Sequence, residues 1–362
     1  MYTRLALTAG ALTTVLLAVA CTGPQEGTPE TELPSSLPKR ISGAPTVRGA
    51  TEAVVAAANV FLKSLSQEQR DRAVYDRDDT DALMDWTNLP VGREEDRNGV
   101  GLRDLSDTQR AAAMGVAEAV LSDGGFEEMR SVVAAGNELN RRGGGNTSFG
   151  SDLFFFAFFG EPNTTERFTV QIGGHHLAVH TTYDGDRVMP TPAFTGVDPR
   201  TFEVSGTRVE PLRDEAEGVF GVLEALSPTQ RERARLDGEY AEILVGPGED
   251  GAFPSPAQGV RVSELSAGQQ KLVTAALRAW VGDSDERVAD ALMAQYQTEY
   301  DRTYIGWAGS TDRDEPGAYV RFDGPRLWVE FSNQGQTGKG DELHYHSVYR
   351  DKQRDYGRTW PS

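Results

Sequence analysis

Hydrophobic positions divide the chain into three segments. Residues 5–20 are uncharged and apolar or small, and the four residues before them carry one positive charge. Residues 22–50 are rich in Pro, Thr, Ser, Glu and Gly and show no hydrophobic period. Helix-start signals and strand-like apolar runs appear only beyond residue 50. This pattern predicts a signal peptide over 1–20, a disordered tether over 21–50 and a single globular domain over 51–362.

The only cysteine, Cys21, follows the apolar segment directly. The small residues Ala18, Val19 and Ala20 before it resemble a bacterial lipobox, in which the cysteine is diacylated and becomes the mature N-terminus. The apolar segment is too short to span a membrane, which takes about 20 residues. We expect a lipidated protein on the outer face of the cytoplasmic membrane, with a secreted protein as the alternative. The lack of other thiols excludes disulfides, zinc thiolate sites and cysteine catalysis.

Four helix starts carry the same signal, an apolar residue followed by Ser-x-x-Gln. In this capping box the serine accepts a bond from a first-turn amide, and the glutamine returns one to the cap's own N–H. The four serines are Ser66, Ser106, Ser227 and Ser266. Their spacing is 40 residues in the first half and 39 in the second. We therefore expect two repeats, over about 51–200 and 213–357.

The likeness of the halves continues into predicted strands. Residues 170–180 align without gaps to 320–330, and both segments are typical of β-hairpins that turn at a glycine. Aromatic runs at 154–159 and 304–307 precede them and indicate buried core. We predict an α+β fold of two pseudo-symmetric repeats, each with several helices, a hairpin and a third strand. Neither half can cover so hydrophobic a hairpin alone, so the repeats should share one core or one sheet.

The net charge of the chain limits the kinds of partner that it can bind. Its formal net charge is −19, and 38% of its residues are hydrophobic, which is adequate for a core. Nucleic acid and anionic lipid both require a basic face on the protein. We therefore expect no nucleic-acid partner, and membrane contact only through the N-terminal lipid. The acidity itself favours solubility outside the cell.

All five histidines lie in two short clusters: His175, His176 and His180, and then His344 and His346. Neutral imidazole is the commonest protein ligand for transition metals and a frequent proton shuttle. Side chains at i and i+2 of a strand share a face, about 6–7 Å apart at Cα, so the His-x-His pair can bind one metal. The alternative is a polar, hydrogen-bonded face without a metal.

The first cluster divides further. His175 and His176 are adjacent and would face opposite sides of an extended strand, so one is expected to point into the site. Both can converge only at a turn or bulge, which Gly173 and Gly174 permit. His180 shares a face with His176 but lies about 13 Å along the strand, too far for one metal. We expect His180 to be structural.

The His-x-His pair has no counterpart in the first repeat, which predicts one asymmetric site between the repeats. His175 or His176 from one half would join His344 and His346 from the other, with Glu330 as an oxygen ligand. Such a set suits one divalent metal, Zn(II), Fe(II), Mn(II) or Cu(II). Glu330 would alternatively be a general base or an ordinary exposed strand residue.

Motifs from both halves resemble one family. The segments that carry the likeness are 158–162, the Gly-Gly-His-His run at 173–176, 304–309, 344–351 and 355–357. Together they are similar to the uncharacterised family catalogued as domain of unknown function 3500, over roughly residues 51 to 357. The resemblance implies an exported single-domain protein and no established reaction or cofactor.

The family pattern also bears on individual positions. The place of His180 is commonly an asparagine there, which supports leaving His180 out of a metal site. Arg350 and Asp351 match the pattern beside Glu330 and the other four histidines. Arg350 would hold a carboxylate or phosphate of a ligand, and Asp351 would orient a histidine. A structural ion pair is the alternative for both.

Two main function classes stay open. The first is a metal-dependent hydrolase or oxidoreductase acting on a small molecule or polymer fragment, with Glu330, Asp351 and Arg350 as catalytic candidates. The second is a non-catalytic lipoprotein that binds a metal or an anionic ligand through the same residues. An interaction scaffold is a third. An open coordination position beside a lined pocket would favour the enzyme, and a closed four-ligand site would favour binding.

Overall fold

The computed structural model describes residues 43–91, 97–143, 148–334 and 343–358. The expected signal peptide and lipidation at Cys21, and all but the last residues of the tether, lie outside these ranges. Within them, no helix combines the length and the apolar composition that crossing a bilayer requires.

The α-helices of the described residues, in chain order, are α1 (Ala50–Ser64), α2 (Gln67–Ala73), α3 (Thr80–Met84), α4 (Asp107–Val120), α5 (Asp123–Arg142), α6 (Arg213–Ala225), α7 (Pro228–Ala234), α8 (Ala267–Val281) and α9 (Glu286–Gln297). Short 3-10 turns occupy Leu102–Asp104, Val262–Glu264 and Asp355–Gly357. All four predicted capping boxes form, with Ser66, Ser106, Ser227 and Ser266 as caps of α2, α4, α7 and α8. The Ser-x-x-Gln signal therefore marks helix starts correctly.

The strands are β1 (Val74–Tyr75), β2 (Val100–Gly101), β3 (Phe154–Phe159), β4 (Phe168–Gly174), β5 (Leu177–Asp184), β6 (Arg187–Met189), β7 (Ala193–Val197), β8 (Phe202–Val204), β9 (Thr207–Val209), β10 (Val260–Arg261), β11 (Tyr304–Ala308), β12 (Ala318–Asp323), β13 (Leu327–Asn333) and β14 (Tyr345–Asp351).

Most of these strands form one mixed sheet. Its path runs β1-β3-β4-β5-β7-β14-β13-β12-β11-β10, with β2 beside β3 and β6 beside β5. β1 pairs parallel to β3, and the pairs along the rest of the path are antiparallel. β8 and β9 form a separate ribbon. The prediction of an α+β fold is confirmed, and strands from both halves meet where β7 pairs with β14.

Both predicted hairpins form, but with different turns. In the first, Gly174 pairs with Leu177, so His175 and His176 are themselves the two turn residues. In the second, Asp323 pairs with Trp328, and the turn is longer. The first hairpin therefore turns directly after Gly174, which places two histidines at its tip, whereas Gly324 lies in the turn of the second hairpin as expected.

The two faces of the sheet are covered differently. The larger core lies under the helices and includes Val170 and Phe331. A smaller core lies on the other face, where Val348 and Trp328 pack against Leu83 of α3 and Val245 of the irregular segment 236–259. Since successive strand residues alternate between faces, His346, two residues before Val348, belongs to this second face. The His-x-His pair therefore belongs to the face that is covered mainly by irregular segments and by the short helix α3.

Candidate functional site

The structure brings three histidines together at the joint between the two halves of the sheet. His176 lies in the β4–β5 turn, His344 directly precedes β14, and His346 lies within β14. One ring nitrogen of each lies within 4.8 Å of the other two. Each of the three residues is only 5% exposed. These three residues are referred to below as the histidine group.

The backbone of His176 explains why its ring points into this group. His176 has a φ of 61°, in the left-handed region that non-glycine residues seldom adopt. Its N–H donates to the carbonyl of Asn88 at 3.1 Å, and its carbonyl accepts from the N–H of Gly196 at 2.8 Å. These two bonds hold the turn in the conformation that re-aims the imidazole.

Gly196 of β7 leaves the space in which two of the rings meet. A Cβ atom at this position would lie 2.9 Å from Cδ2 of His346 and 3.2 Å from Cδ2 of His176. Gly196 is paired directly with His346 across β7 and β14. Any larger residue would therefore push the rings apart. Sequence reasoning missed this glycine, because nothing in its local sequence marks it.

Burial keeps the imidazoles of His176 and His344 neutral. Burial lowers the pKa of His344 to about 3, and the neighbouring His346 and His175 add to the effect. Burial also lowers the pKa of His176 well below its usual value, again helped by the adjacent histidines. A metal ligand must be a deprotonated imidazole. The environment thus supplies His176 and His344 in the form that a metal requires.

Some ring nitrogens of the group have no protein partner. Nε2 of His344 lies 3.0 Å from Nε2 of His176, so without an ion one of the two must carry the proton. Nδ1 of His344 and Nε2 of His346 are buried and make no hydrogen bond to any of the residues that the structure describes. Leaving such an atom unpaired costs about 1–3 kcal/mol. A transition-metal ion fits this donor set, because it would take up lone pairs that the protein leaves unused.

Two residues that sequence reasoning missed hold the other nitrogen of His346. Nδ1 lies 2.8 Å from Oε2 of Glu242 and 2.9 Å from Nε2 of Gln334. Glu242 comes from the irregular segment 236–259, and its side chain is 48% exposed. A carboxylate on Nδ1 is the usual outer partner of a metal-ligating histidine. Glu242 lies in a charged stretch like many others in the chain, so its sequence gives no signal.

The histidine group lies on the wall of an open cleft of about 770 Å³. Leu89, Pro90 and Phe149 supply apolar lining, and Asp198 and Glu242 supply acidic groups. A volume of this size admits a small organic molecule. The group is therefore accessible from one side while its individual side chains stay buried.

His175, expected as a metal ligand, is adjacent to the group but is not part of it. Its ring stacks on His176, with centroids 3.7 Å apart, and meets the Phe149 ring edge-on at 4.9 Å. Burial lowers the pKa of His175 to about 3. His175 and His176 occupy successive turn positions, and only the left-handed residue turns toward β14. His175 instead lines the cleft.

His180 lies elsewhere, with both ring nitrogens engaged. The amide of Gln171 donates to Nε2 at 2.8 Å, and Nδ1 donates to the carbonyl of Pro192 at 3.0 Å. The residue is fully buried, and burial lowers its pKa to about 4. A neutral ring with two protein partners has no lone pair left for a metal.

Glu330 does not reach the histidine group, contrary to the expectation of a shared site. Its buried carboxylate accepts four hydrogen bonds, from the amides of Leu244 and Val245, the hydroxyl of Tyr319 and the indole N–H of Trp328. Glu330 shares a sheet face with His346, but it pairs with Val348, which lies two residues further along β14. Its oxygens are fully used, so neither a ligand nor a general-base role fits. It is not an exposed strand residue either.

Arg350 also has a different role from the ligand contact that was expected. Its guanidinium is fully buried and donates to the carbonyls of Val245 and Gly246, both at 2.8 Å. It also pairs with Asp250 at 2.7 Å and Asp355 at 3.1 Å. Glu330 and Arg350 thus hold the same stretch of segment 236–259, one by its amides and the other by its carbonyls. The stretch held in this way, residues 244–246, begins two residues after Glu242.

Asp351 does not orient a histidine. Its Oδ2 accepts from Nε of Arg354 at 3.0 Å and from the hydroxyl of Tyr296 at 3.2 Å. As the neighbour of Arg350 along β14, Asp351 points to the opposite face of the sheet, toward α9. Arg350 and Asp351 thus both form buried structural ion pairs, which was the alternative to a functional role, and the two pairs lie on opposite faces of the sheet.

Three clustered imidazoles with unused lone pairs, beside an open cleft, form a candidate nitrogen-ligand metal centre among the residues that the structure describes. The chain belongs to the family described as Protein of unknown function (DUF3500), whose family model matches residues 48–358. This confirms the resemblance seen in the sequence motifs. Searches of curated proteins and of solved structures give no match.

Proposed function

We propose that this protein is a metal-dependent enzyme with one transition-metal ion held by His176, His344 and His346. The observation that carries the proposal is the meeting of three ring nitrogens within 4.8 Å at the wall of an open cleft. Structural zinc sites are closed by four protein ligands, whereas catalytic sites have three and keep one position open. Three imidazoles at the wall of a cleft support a site of the second kind.

The residues in and around the histidine group would have three different roles. The three imidazoles would hold the ion, and Glu242 would fix the tautomer of His346 by accepting the proton of Nδ1. The apolar side chains of the cleft would bind a small organic substrate and exclude water from its reacting end. The ion would supply Lewis-acid chemistry, and hydrolysis is the reaction class that this supports best. If the bound ion were iron or copper, a redox reaction would be the expected reaction class instead of hydrolysis.

Zinc is the metal that we propose first. Three neutral nitrogen donors suit Zn(II), and the same donors also accept Fe(II), Mn(II) or Cu(II). Affinity alone does not select among these ions, because geometry and supply in the host decide which one is bound. The metal must therefore be identified in protein purified from its own host.

A second candidate is a non-catalytic metal-binding protein, and the position of Glu242 favours it. Its half-exposed carboxylate lies 2.8 Å from Nδ1 of His346, and a rotation that brought it to the ion would close the site with a fourth ligand. A site closed by Glu242 would store or sense metal and would have no place for a substrate. The two candidates differ in whether Glu242 contacts the ion.

Metal analysis of the purified protein tests both candidates. We expect close to one equivalent of transition metal in the wild type and less than a tenth of that in a His344→Ala/His346→Ala variant. His180→Asn is the matched control, because His180 is a buried histidine outside the group. Loss of metal in the control as well would point to a folding defect.

Two outcomes separate the possibilities further. A wild-type protein that holds no stoichiometric metal, and takes up none on titration, would remove both candidates. X-ray absorption spectra that change between wild type and Glu242→Ala would indicate a carboxylate ligand and favour the binding protein. Unchanged first-sphere spectra, with hydrolysis of a panel of small esters and phosphoesters, would favour the enzyme.

We also propose that the protein is exported and anchored by a lipid on Cys21. The support is the charged start, the short apolar segment and the small residues before the only cysteine. Labelled palmitate should enter the wild type and not a Cys21→Ser variant, and the variant should leave the membrane fraction. Equal labelling of the two proteins would contradict lipidation.

We infer further that the domain consists of two pseudo-symmetric repeats. Two glutamines of the capping boxes make matching contacts: Gln109 donates to the carbonyl of Ser64 and to Gln69, and Gln269 donates to the carbonyl of Ala225 and to Gln230. The carbonyl contacts join α4 and α8 to the ends of α1 and α6, and the glutamine contacts join the same two helices to α2 and α7. The corresponding strand paths, β3-β4-β5 and β11-β12-β13, support the same inference.

A further inference from the structure

Three carboxyl groups meet on the helix-covered face of the sheet, opposite the histidine group. Glu128 lies in α5, Glu215 lies in the first turn of α6, and Asp283 lies between α8 and α9. One oxygen of each lies within 4.8 Å of the other two. The three residues come from separate elements, so tertiary packing alone brings them together.

The central member of this acidic group has an unused oxygen. Glu215 is only 1% exposed, and its Oε2 makes no hydrogen bond. The Glu128 carboxyl group lies within 4.8 Å of that of Glu215, and Thr195 lines the same small cavity as Glu128. Across the described ranges, none of the three carboxyl groups forms an ion pair with a basic side chain.

Such an arrangement is costly unless something neutralises it. Burial raises the pKa of Glu128, Glu215 and Asp283 well above the usual range, and each is raised further by a neighbouring carboxylate. Two like charges at this separation repel strongly in a protein interior. The group must therefore hold either protons or a cation.

The surrounding packing is built around a small cavity. A space of about 30 Å³ adjoins the group and is lined by Glu128, Asp283 and Thr195, while Glu215 lies outside its lining. A space of this size has room for a water molecule or an ion. Gly125 lets α5 approach this point, since a Cβ there would lie 2.5 Å from the carbonyl oxygen of Asp283. The N–H of Ser122 donates to that same carbonyl at 2.8 Å. The segment that carries Asp283 is thus pinned against the start of α5.

We propose that Glu128, Glu215 and Asp283 form a binding site for a hard divalent cation, of the Ca²⁺ or Mn²⁺ kind. Carboxylate and hydroxyl oxygens are the ligands that such cations prefer, in contrast to the nitrogen set of the histidine group. The ion would join α5 of the first half to α6 and the α8–α9 connection of the second. Its role would be to lock the two halves together across the sheet joint.

Calorimetric titration of the chelator-stripped full chain with Ca²⁺, and separately with Mn²⁺, tests this site. We expect the acidic group to bind one equivalent of Ca²⁺, or one equivalent of Mn²⁺ in addition to any Mn²⁺ held by the histidine group, and the melting temperature to rise with cation concentration. Glu215→Gln should weaken the binding at least 10-fold. Glu224→Gln is the matched control, because Glu224 lies exposed on the same helix.

The His344→Ala/His346→Ala variant separates this site from the histidine group. Binding of Ca²⁺ or Mn²⁺ that persists in this variant belongs to the acidic group, whereas binding that disappears would overturn the proposal. Absence of saturable binding to the wild type would overturn it too, and would mean that the three groups share protons only. If Glu215→Gln does not fold, Asp283→Asn is expected to show the same loss, and undiminished binding in the folded variant would refute the site.

Discussion

Nδ1 of His346 lies 2.8 Å from Oε2 of Glu242, a residue 104 positions earlier in the chain. The amide of Gln334 lies 2.9 Å from the same nitrogen. The two neighbours favour opposite tautomers, since the carboxylate accepts a proton from Nδ1 and the amide nitrogen donates one to it. Only the first tautomer leaves Nε2 with a lone pair for a metal. Glu242 thus decides whether His346 can act as an Nε2 ligand.

Removal of Glu242 should therefore weaken metal binding although no ligand is lost. We expect Glu242→Ala to raise the dissociation constant for Zn²⁺ by about 10- to 100-fold, the usual effect of losing an outer partner. Glu239→Ala, an exposed change three residues earlier, should have no effect. Adding Gln334→Ala to Glu242→Ala should recover part of the affinity. Competition titration with a chromophoric chelator measures all four proteins, and no recovery in the double variant would argue against tautomer control.

Gly196 should be necessary for the geometry of the histidine group. A Cβ at this position lies within 2.9–3.2 Å of two of the rings, so Gly196→Ala should spread them. Crowding of this kind costs about 1–3 kcal/mol, which corresponds to a loss of roughly 5- to 150-fold in Zn²⁺ affinity. Gly115→Ala in α4, where a Cβ meets no atom within 4 Å, is the control. Equal affinities in the two variants would show that the rings tolerate the added methyl group.

Glu330 should contribute to stability and not to chemistry. Glu330→Gln replaces an oxygen that accepts buried hydrogen bonds by an amide donor, which leaves at least one N–H of segment 236–259 unpaired. We expect the free energy of unfolding to fall by about 2–4 kcal/mol. Urea denaturation measures this, with the exposed change Glu249→Gln in the same segment as control. A variant with unchanged stability and lost turnover would restore Glu330 as a catalytic candidate.

His180 should make stability depend on pH in a defined direction. Its folded pKa of about 4 lies below its ordinary value of 6.5, so between these values the unfolded chain binds more protons than the folded one. Stability from this residue is therefore complete above about pH 6.5 and is lost as the pH falls toward 4, by up to about 3 kcal/mol. Unfolding of His180→Asn, followed from pH 7 to 4, should show a smaller decline than the wild type. An equal decline would mean that His180 protonates without cost.

The inferred repeats predict matched effects of matched changes. Gln109→Ala and Gln269→Ala each remove a capping bond and a bond to a helix-end carbonyl. We expect each to lower the free energy of unfolding by about 1 kcal/mol, within error of one another. Thermal denaturation of both variants, with Gln67→Ala on exposed surface as control, provides the comparison. A large inequality between the two would contradict equivalent structural roles.

Local patterns predicted the local structure well. The capping boxes mark helix starts because their bonds close within four residues, and the hairpins follow from alternation and a short turn. The gathering of histidines into two clusters was likewise visible in the sequence. Their convergence, however, depends on the left-handed conformation of His176, and the sequence suggested only that a turn or bulge was possible there.

The sequence could not show which carboxylate contacts the histidine group. Glu330 was expected to join the histidines as an oxygen ligand, and it does share a sheet face with His346. Its carboxylate is instead held by two amides of a segment 85 and 86 residues earlier. Glu242 had no distinguishing neighbour in the sequence, and it is the carboxylate that contacts the group.

The sequence by itself determined the helix starts, the two hairpins, the α+β class, the family and the set of histidines from which a site could form. The tertiary structure decided which three histidines meet, which carboxylate accompanies them and that Gly196 leaves room for their rings. The physical reason is separation along the chain. Capping and strand alternation act between residues a few positions apart, whereas the contacts of His346 with His176 and Glu242 join residues more than 100 positions apart. Such contacts exist only after β7 and β14 have paired and segment 236–259 has packed over them.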